Sequence, residues 1–455
     1  MSDEKLIIVS SDSHAAMPSE LWTQYLESTY HEHLEQIRYE SDLYAGSVVP
    51  LSRMAMAGRQ EILDDHLSET GGYRGVYDRE IRLQQMDREG IAAELVFHGD
   101  ARVGDLAHNV TNGVWSADVW DAGARAYNRW AHDTFGGSDR MLLIGAIGSC
   151  ADMDATIAEL DWLADQGFTG TFAPGFLTRP DMPPLFDPYW ERLWAECQAR
   201  DLAIVVHAGF GFEQGVLYEQ LDTLTREHKA SGGTEQELLM RLGTEVFSDF
   251  FSDVKGRRPM WQMMLGGVFD RYPGLRLVIT EIRLDWIPAT LSYLDSVFDE
   301  RRADLPALRR PSEYWQQNCL AGASFMHKVE VEMRHQIGVD TILFGRDYPH
   351  PEGTWPNTPD WLRDAFRGVS EHEARLMLGE NAIRFFDLDR GSLADVAAKV
   401  GPSLGAVVGG APVDPELLGV FDGRGGYLRP AEGDARIPDI APMIDDDLAL
   451  VVGVR

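Results

Sequence analysis

Eight short apolar runs, separated by helix-length amphipathic stretches, predict an α/β chain folded as a (β/α)8 TIM barrel. A second observation favours closure. Four of the runs end in side chains able to hold a metal, and barrel enzymes keep their active sites at those strand ends. A third weakens the runner-up, an open doubly wound sheet, which commonly carries a Gly-rich phosphate loop. Gly209-Phe-Gly211-Phe-Glu-Gln-Gly215 has one residue too many for G-x-G-x-x-G, and neither G-x-S-x-G nor G-x-x-x-x-G-K-[ST] occurs.

The strands follow in order. Residues 6–10 are the first run, and 92–97 the second. The second is reached through Met86-Asp87-Arg88-Glu89-Gly90, where Gly90 reads as a helix C-cap. Residues 142–147, 169–173 and 202–207 are the third, fourth and fifth. The sixth, 275–281, follows the turn Arg271-Tyr-Pro-Gly274; 319–323 and 341–344 are the seventh and eighth. Between them, 154–167 carries Ile157, Leu160, Leu163 and Ala164 on one face and is closed by Gly167. Residues 188–200 place Trp190, Leu193, Trp194 and Cys197 on another stripe, and 371–386 carries a third.

Three segments exceed a minimal barrel. Residues 39–77 and 209–258 follow strands one and five, so both are expected to rise from the catalytic face as lids or subunit contacts. Residues 390–455 are punctuated by Gly401-Pro402 and Gly409-Gly410-Ala411-Pro412. They are expected to form an extended C-terminal arm packed on the barrel of residues 1–389 or on a neighbouring subunit.

Composition narrows the function. The chain has 455 residues, 44% hydrophobic and 25% charged, enough for a sizeable core. Its formal net charge of −32 argues against a nucleic-acid partner, which needs a basic footprint. Cys150, Cys197 and Cys319 are far apart and no CxxC occurs, which points to a reducing compartment. With no apolar leader and no run near the ~18 residues of a membrane helix, a cytoplasmic enzyme with no membrane partner is expected.

The chemistry is carried by the strand ends. Strand one runs into Asp12-Ser13-His14, whose carboxylate and imidazole share one face by the period of two. Strand five ends at His207, strand six at Glu281, and strand eight at Asp347, followed by His350. Each has an ordinary explanation. Asp-Ser-His is turn chemistry, a lone His is more often a hydrogen-bonded core residue, Asp347 can open a turn, and Glu281 can pair with Arg283 or Arg276. None explains why all fall at strand ends. Imidazoles mixed with carboxylates suit Zn, Mn or Fe better than Ca or Mg. Glu281 is the best base, and His350 is a second candidate. His98 is a candidate substrate contact, Arg283 and Arg346 are candidate carboxylate clamps, and Trp286 a candidate pocket wall.

These residues resemble the amidohydrolase superfamily in its amidohydrolase 2 branch, which includes aminocarboxymuconate-semialdehyde decarboxylase-like and resorcylate decarboxylase-like enzymes. The likeness rests on Ile8-Val-Ser-Ser-Asp-Ser-His14, Arg82-Leu-Gln-Gln-Met-Asp-Arg-Glu-Gly-Ile-Ala-Ala-Glu94 and Pro184-Leu-Phe-Asp-Pro-Tyr-Trp190. Phe344-Gly-Arg-Asp-Tyr-Pro-His-Pro-Glu-Gly-Thr-Trp355 and Gly379-Glu-Asn-Ala382 complete it. The resemblance implies one metal held by Asp12, His14, His207 and Asp347, and often a homodimer or higher homo-oligomer. One departure matters. Where the decarboxylases usually show Gly-His-x-Gly-Glu after strand six, this chain reads Thr280-Glu281-Ile-Arg-Leu-Asp-Trp-Ile-Pro288, with Glu281 in the histidine's place. The expectation is a metal-dependent hydrolase of a small carboxylated or aromatic substrate, with activated water and Glu281 as proton shuttle. The alternative is a non-oxidative carboxy-lyase acting on an aromatic or enoic acid. A metal-free barrel serving as a binding scaffold is the third reading.

Overall fold

The computed structural model describes residues 4–39, 42, 72–99, 115–175, 177–178, 182–213, 216–246, 254–324, 326–350, 353–423 and 436–453. Eight parallel strands close on themselves. They are β1 (Val9–Ser10), β2 (Ala93–His98), β3 (Met141–Gly145), β4 (Gly170–Phe172), β5 (Ala203–Val206), β6 (Leu277–Thr280), β7 (Cys319–Ser324) and β8 (Ile342–Gly345). Each pairs with its sequence neighbours, and β1 pairs with both β8 (Ser10 opposite Phe344) and β2 (Val9 opposite Ala93). The barrel expected from the apolar runs is therefore present, strand for strand.

The runs look continuous rather than alternating because both faces of each strand are buried. Val9, Leu95, Ile144, Phe172, Val205, Val278, Leu320 and Leu343 share the cluster inside the barrel. Their neighbours Ile8, Val96, Leu143, Ile204, Ile279, Ala321 and Phe344 belong to the layer beneath the helices. Ile383, Phe386, Leu393 and Ala397 join the inner cluster on the side where Leu6 N donates to Pro402 O at 3.0 Å. That closes the N-terminal mouth and leaves the C-terminal mouth for chemistry.

The helices behave as their patterns require. Met153–Asp165 starts at Asp152, whose side chain accepts from Asp154 N and Ala155 N. Glu191–Ala199 buries Leu193, Trp194 and Cys197. The stripe at 371–386 is two short helices, Glu371–Arg375 and Asn381–Phe385, joined by a π turn at Leu376–Glu380. Gly379 lies in that turn because a Cβ there would meet Ile7 O at 2.2 Å.

The first insertion falls mostly outside the described residues. The second carries helices Val216–Ser231 and Glu235–Arg241, the latter opened by a capping box between Thr234 and Glu237. Among its described residues, the tail expected as an extended arm contains four helices: Arg390–Val400, Leu404–Gly409, Pro415–Gly423 and Ile437–Gly453. Glycine and proline there mark the breaks between short helices, not an irregular strand. The last helix is fastened to the barrel wall by Asp447. This buried carboxylate accepts from Arg258 Nε and Nη2 (3.0 and 2.7 Å), Trp261 Nε1 (2.8 Å) and Gln262 Nε2 (3.0 Å). Among the described residues, no helix is long and apolar enough to cross a membrane.

Candidate metal centre

Six side chains converge at the C-terminal mouth: Asp12, His14, His207, Glu281, Asp347 and His350. Strand parity explains much of this. Ala203 and Val205 point into the barrel, and His207 continues their row. Leu343 does the same for Asp347. Backbone bonds then pin the segment after β1 against the end of β8. Ser11 N donates to Phe344 O (2.8 Å), Asp347 N to Asp12 O (3.1 Å), and His14 N to Tyr348 O (2.7 Å). Glu281 and Asp347 both sit at left-handed backbone angles, φ 50° and 54°. For a residue with a Cβ such a conformation costs on the order of 1–3 kcal/mol and persists only where surrounding structure enforces it.

The three imidazoles share one arrangement. His14 Nδ1 donates to His98 O (3.1 Å), His207 Nδ1 to Ala208 O (2.9 Å), and His350 Nε2 to Gly99 O (3.2 Å). A carbonyl oxygen only accepts, so each of these nitrogens carries the proton. The other nitrogen of each ring then turns toward carboxylate. His14 Nε2 lies 3.2 Å from Asp347 Oδ1 and 3.5 Å from Asp12 Oδ1. His207 Nε2 lies 2.7 Å from Glu281 Oε2 and 3.7 Å from Asp12 Oδ1. His350 Nδ1 lies 3.1 Å from Asp347 Oδ1, and its ring stacks on His14 with centroids 4.1 Å apart.

Imidazole nitrogens crowded against carboxylate oxygens in a buried site offer the donor set of a cation. His14 Nε2 is buried without a hydrogen bond, which fits a ligand atom better than a core histidine. One donor atom each from Asp12, His14 and His207 lies within 4.8 Å of the others, as does one each from His14, Glu281, Asp347 and His350. Mixed nitrogen and carboxylate donors at this spacing suit a divalent transition metal.

The electrostatics agree. Burial pushes the Asp347 carboxyl well above the usual carboxylate range, with Glu281 and Asp12 adding to it. Burial also raises Glu281, opposed by its contact with His207. Burial, then His350 and His207, hold His14 well below the ordinary imidazole value. Burial alone would lower His207, but facing Glu281 and Asp12 raises it well above that value. The cluster is short of positive charge.

The expected substrate contacts divide. His98 is almost fully buried. It gives its carbonyl to His14 and lays its ring against Phe172, centroids 4.7 Å apart. Arg283 lies 3.6 Å from Asp285 Oδ1. Trp286 is fully buried under the Arg257 guanidinium, 4.4 Å above the ring, a packing role rather than an open wall. Arg346 corrects the sequence reading. Its parity is opposite to that of Asp347, so it turns to the outer side of the barrel wall. There its Nε donates to Glu94 Oε2 at 2.7 Å, and it is 0% exposed. It is a buried ion-pair partner, not a substrate clamp.

Sequence reasoning assigned no role to Glu94, Arg82 or Gly99. Arg82 and Glu94 were visible only as charges inside an otherwise helix-to-strand motif. Gly99 sits at φ 128°, and a Cβ there would come within 2.9 Å of His14 Nδ1, so only glycine lets the backbone pass the ring.

Comparison with known proteins agrees with this architecture. Residues 28–388 match the family model described as amidohydrolase; the match begins after Asp12 and His14. A gamma-resorcylate decarboxylase from Rhodococcus jostii (strain RHA1) is 25% identical over 252 residues, covering 52% of this chain and 68% of that protein. Two solved structures share the fold. One is a 2,6-dihydroxybenzoate decarboxylase from Rhizobium, with TM-score 0.53 and 18% identity, covering 84% of this chain and 99% of its own. The other is a 5-carboxyvanillate decarboxylase from Novosphingobium aromaticivorans DSM 12444, solved with bound manganese. It has TM-score 0.54 and 16% identity, covering 84% of this chain and 97% of its own. With a closed eight-stranded parallel barrel, a His/Asp/Glu cluster at its mouth and a family match across most of its length, this chain belongs to the amidohydrolase family.

Proposed function

We propose that this enzyme is a metal-dependent, non-oxidative carboxy-lyase acting on a small aromatic or enoic carboxylic acid. The observation that carries the reading is the cluster of three imidazoles set against carboxylates, in a chain whose relatives include decarboxylases of dihydroxybenzoates and carboxyvanillate. Asp12, His14, His207 and Asp347 would hold the metal, with manganese or zinc the best fits to the donors. When bound, such an ion supplies Lewis-acid polarisation of substrate oxygens.

The chain's own residues do the rest. Glu281, whose hold on a proton is strengthened by burial and opposed by His207, donates a proton to the substrate carbon that bears the carboxylate. The new C–H bond forms, the C–C bond to the carboxylate breaks, and its electron pair returns to the ring or double bond as CO2 leaves. Water then reprotonates Glu281. His350, held by Gly99 O and stacked on His14, orients Asp347. Cis contact between Glu281 and His207 keeps the acid pointed into the mouth.

One observation favours a second reading, hydrolysis. A carboxylate stands after β6 where an imidazole is usual, and an ionised Glu281 would take a proton from water. Incubation with 2,6-dihydroxybenzoate or 5-carboxyvanillate in D2O, with and without added Mn2+, separates the two. CO2 release with deuterium on the product carbon, dependent on metal, is the expected result. Oxygen from ¹⁸O-labelled water in an acid product would transfer the assignment to hydrolysis. A stripped enzyme as active as the loaded one would remove the metal reading.

A further inference from the structure

We infer that Glu94 is a positioning residue for the metal centre, acting from the opposite side of the barrel wall through Arg82 and Arg346. The inference rests on the metal reading above. Glu94 lies on β2 opposite Ser10 of β1, between Ala93 and Leu95 of the inner cluster, so its side chain leaves the barrel toward helix Arg79–Glu89. It is fully buried. Oε1 accepts from Arg82 Nε at 2.6 Å and Oε2 accepts from Arg346 Nε at 2.7 Å, with Arg346 Nη2 in ion-pair contact rather than hydrogen-bonded.

Each arginine passes that fixation on. Arg82 Nη1 donates to His14 O at 2.8 Å, and Nη2 donates to Ser13 Oγ at 2.6 Å. Ser13 Oγ in turn donates to Leu95 O at 2.5 Å. Arg346 precedes Asp347 directly, and its backbone N donates to Ser10 Oγ at 2.9 Å. The Tyr348 ring lies beneath both guanidiniums, 5.4 Å from Arg82 and 4.6 Å from Arg346. One carboxylate therefore sets the place of two segments distant in sequence. On the inner side, those segments present His14 Nε2 and Asp347 Oδ1 3.2 Å apart.

Packing alone does not call for this arrangement. Burying several charges is expensive, and apolar residues of equal volume commonly give equal or greater stability. What a charge-assisted hydrogen bond from each guanidinium adds is direction, which an apolar contact lacks. Direction matters where two ligands must meet one ion, and residues behind metal ligands typically contribute about 10–100-fold in metal affinity.

The test uses full-length protein, stripped by chelator and titrated with Mn2+ against a competing chelator, alongside thermal unfolding of the stripped forms. Glu94→Gln is expected to weaken Mn2+ binding by about 10–100-fold. Ser13→Ala, which cuts only the Arg82 branch, is expected to give a smaller loss in the same direction. Binding within about twofold of wild type in folded variants, with only a lower melting temperature, would make the network a core brace and overturn the inference. If Glu94→Gln does not fold, Ser13→Ala and Arg346→Lys decide by the same criterion. The wild-type arm reports separately on the metal reading: no stoichiometric Mn2+ or Zn2+ there would remove that reading and Glu94's role together. Normal wild-type binding with unaffected variants would remove Glu94's role alone.

Discussion

The two sides of one stretch of barrel wall carry opposite kinds of charge cluster. Outside, Glu94 accepts from Arg82 Nε at 2.6 Å and from Arg346 Nε at 2.7 Å, and Glu89 lies close by, accepting from Thr358 N at 2.9 Å. Inside, inward nitrogens of His14, His207 and His350 face the oxygens of Asp12, Glu281 and Asp347. Both are largely buried. The difference is that outside the arginines bring a permanent positive charge to Glu94, whereas inside the carboxylates meet only imidazoles. Burial alone does not separate a structural network from a ligand site; the kind of partner each carboxylate meets does.

The strongest way to sharpen that contrast is Glu281→Gln. It should leave metal content unchanged while turnover falls on the order of 10²–10⁴-fold, the usual worth of a positioned acid or base. Metal analysis together with steady-state kinetics checks it, and an unaltered rate would move the proton donor elsewhere. Next comes Arg346→Met on the outer side. Leaving Glu94 short of a partner should cost about 3–5 kcal/mol in denaturant unfolding of the stripped protein. If a raised KM with unchanged stability were found instead, Arg346 would be a substrate clamp after all and the two clusters would not be distinct.

The smallest effect concerns pH. Glu330 is buried, accepts from Leu284 N (2.7 Å) and His327 N (2.8 Å), and is raised by burial from 4.5 to about 7. Its folded value is above its unfolded one, so the folded state holds the proton more tightly. Its contribution to stability is complete below pH 4.5 and is lost as pH rises toward 7. Glu330→Gln should therefore flatten this part of the profile by on the order of 1–3 kcal/mol, read as the difference between variant and wild-type unfolding across the window. Parallel curves would assign the slope to other groups.

The barrel was legible because buried parallel strands leave uninterrupted apolar runs, and all eight runs became strands. The inward cluster was legible because His207 and Asp347 continue the inward rows of their strands. The same periodicity, applied consistently, would have turned Arg346 outward. Its partner Glu94 lies 252 positions away, and no local pattern announces a pairing at that range. The tail misled for a different reason. Gly401 and Pro402 follow one helix and Gly410 ends the next, so residues that break helices were the visible signal while the short helices between them were not.

The joint between β1 and β8 has a consequence for biosynthesis. A chain emerging from the ribosome carries Asp12 and His14 from the outset, yet their backbone partners at Phe344 and Tyr348 arrive only after most of the protein has been made. A stalled or prematurely terminated product ending before Asp347 keeps its first strand paired with β2 alone and lacks one side of the site. An ion bound as proposed would thus be loaded late in maturation, and its retention would report that the polypeptide ring has shut.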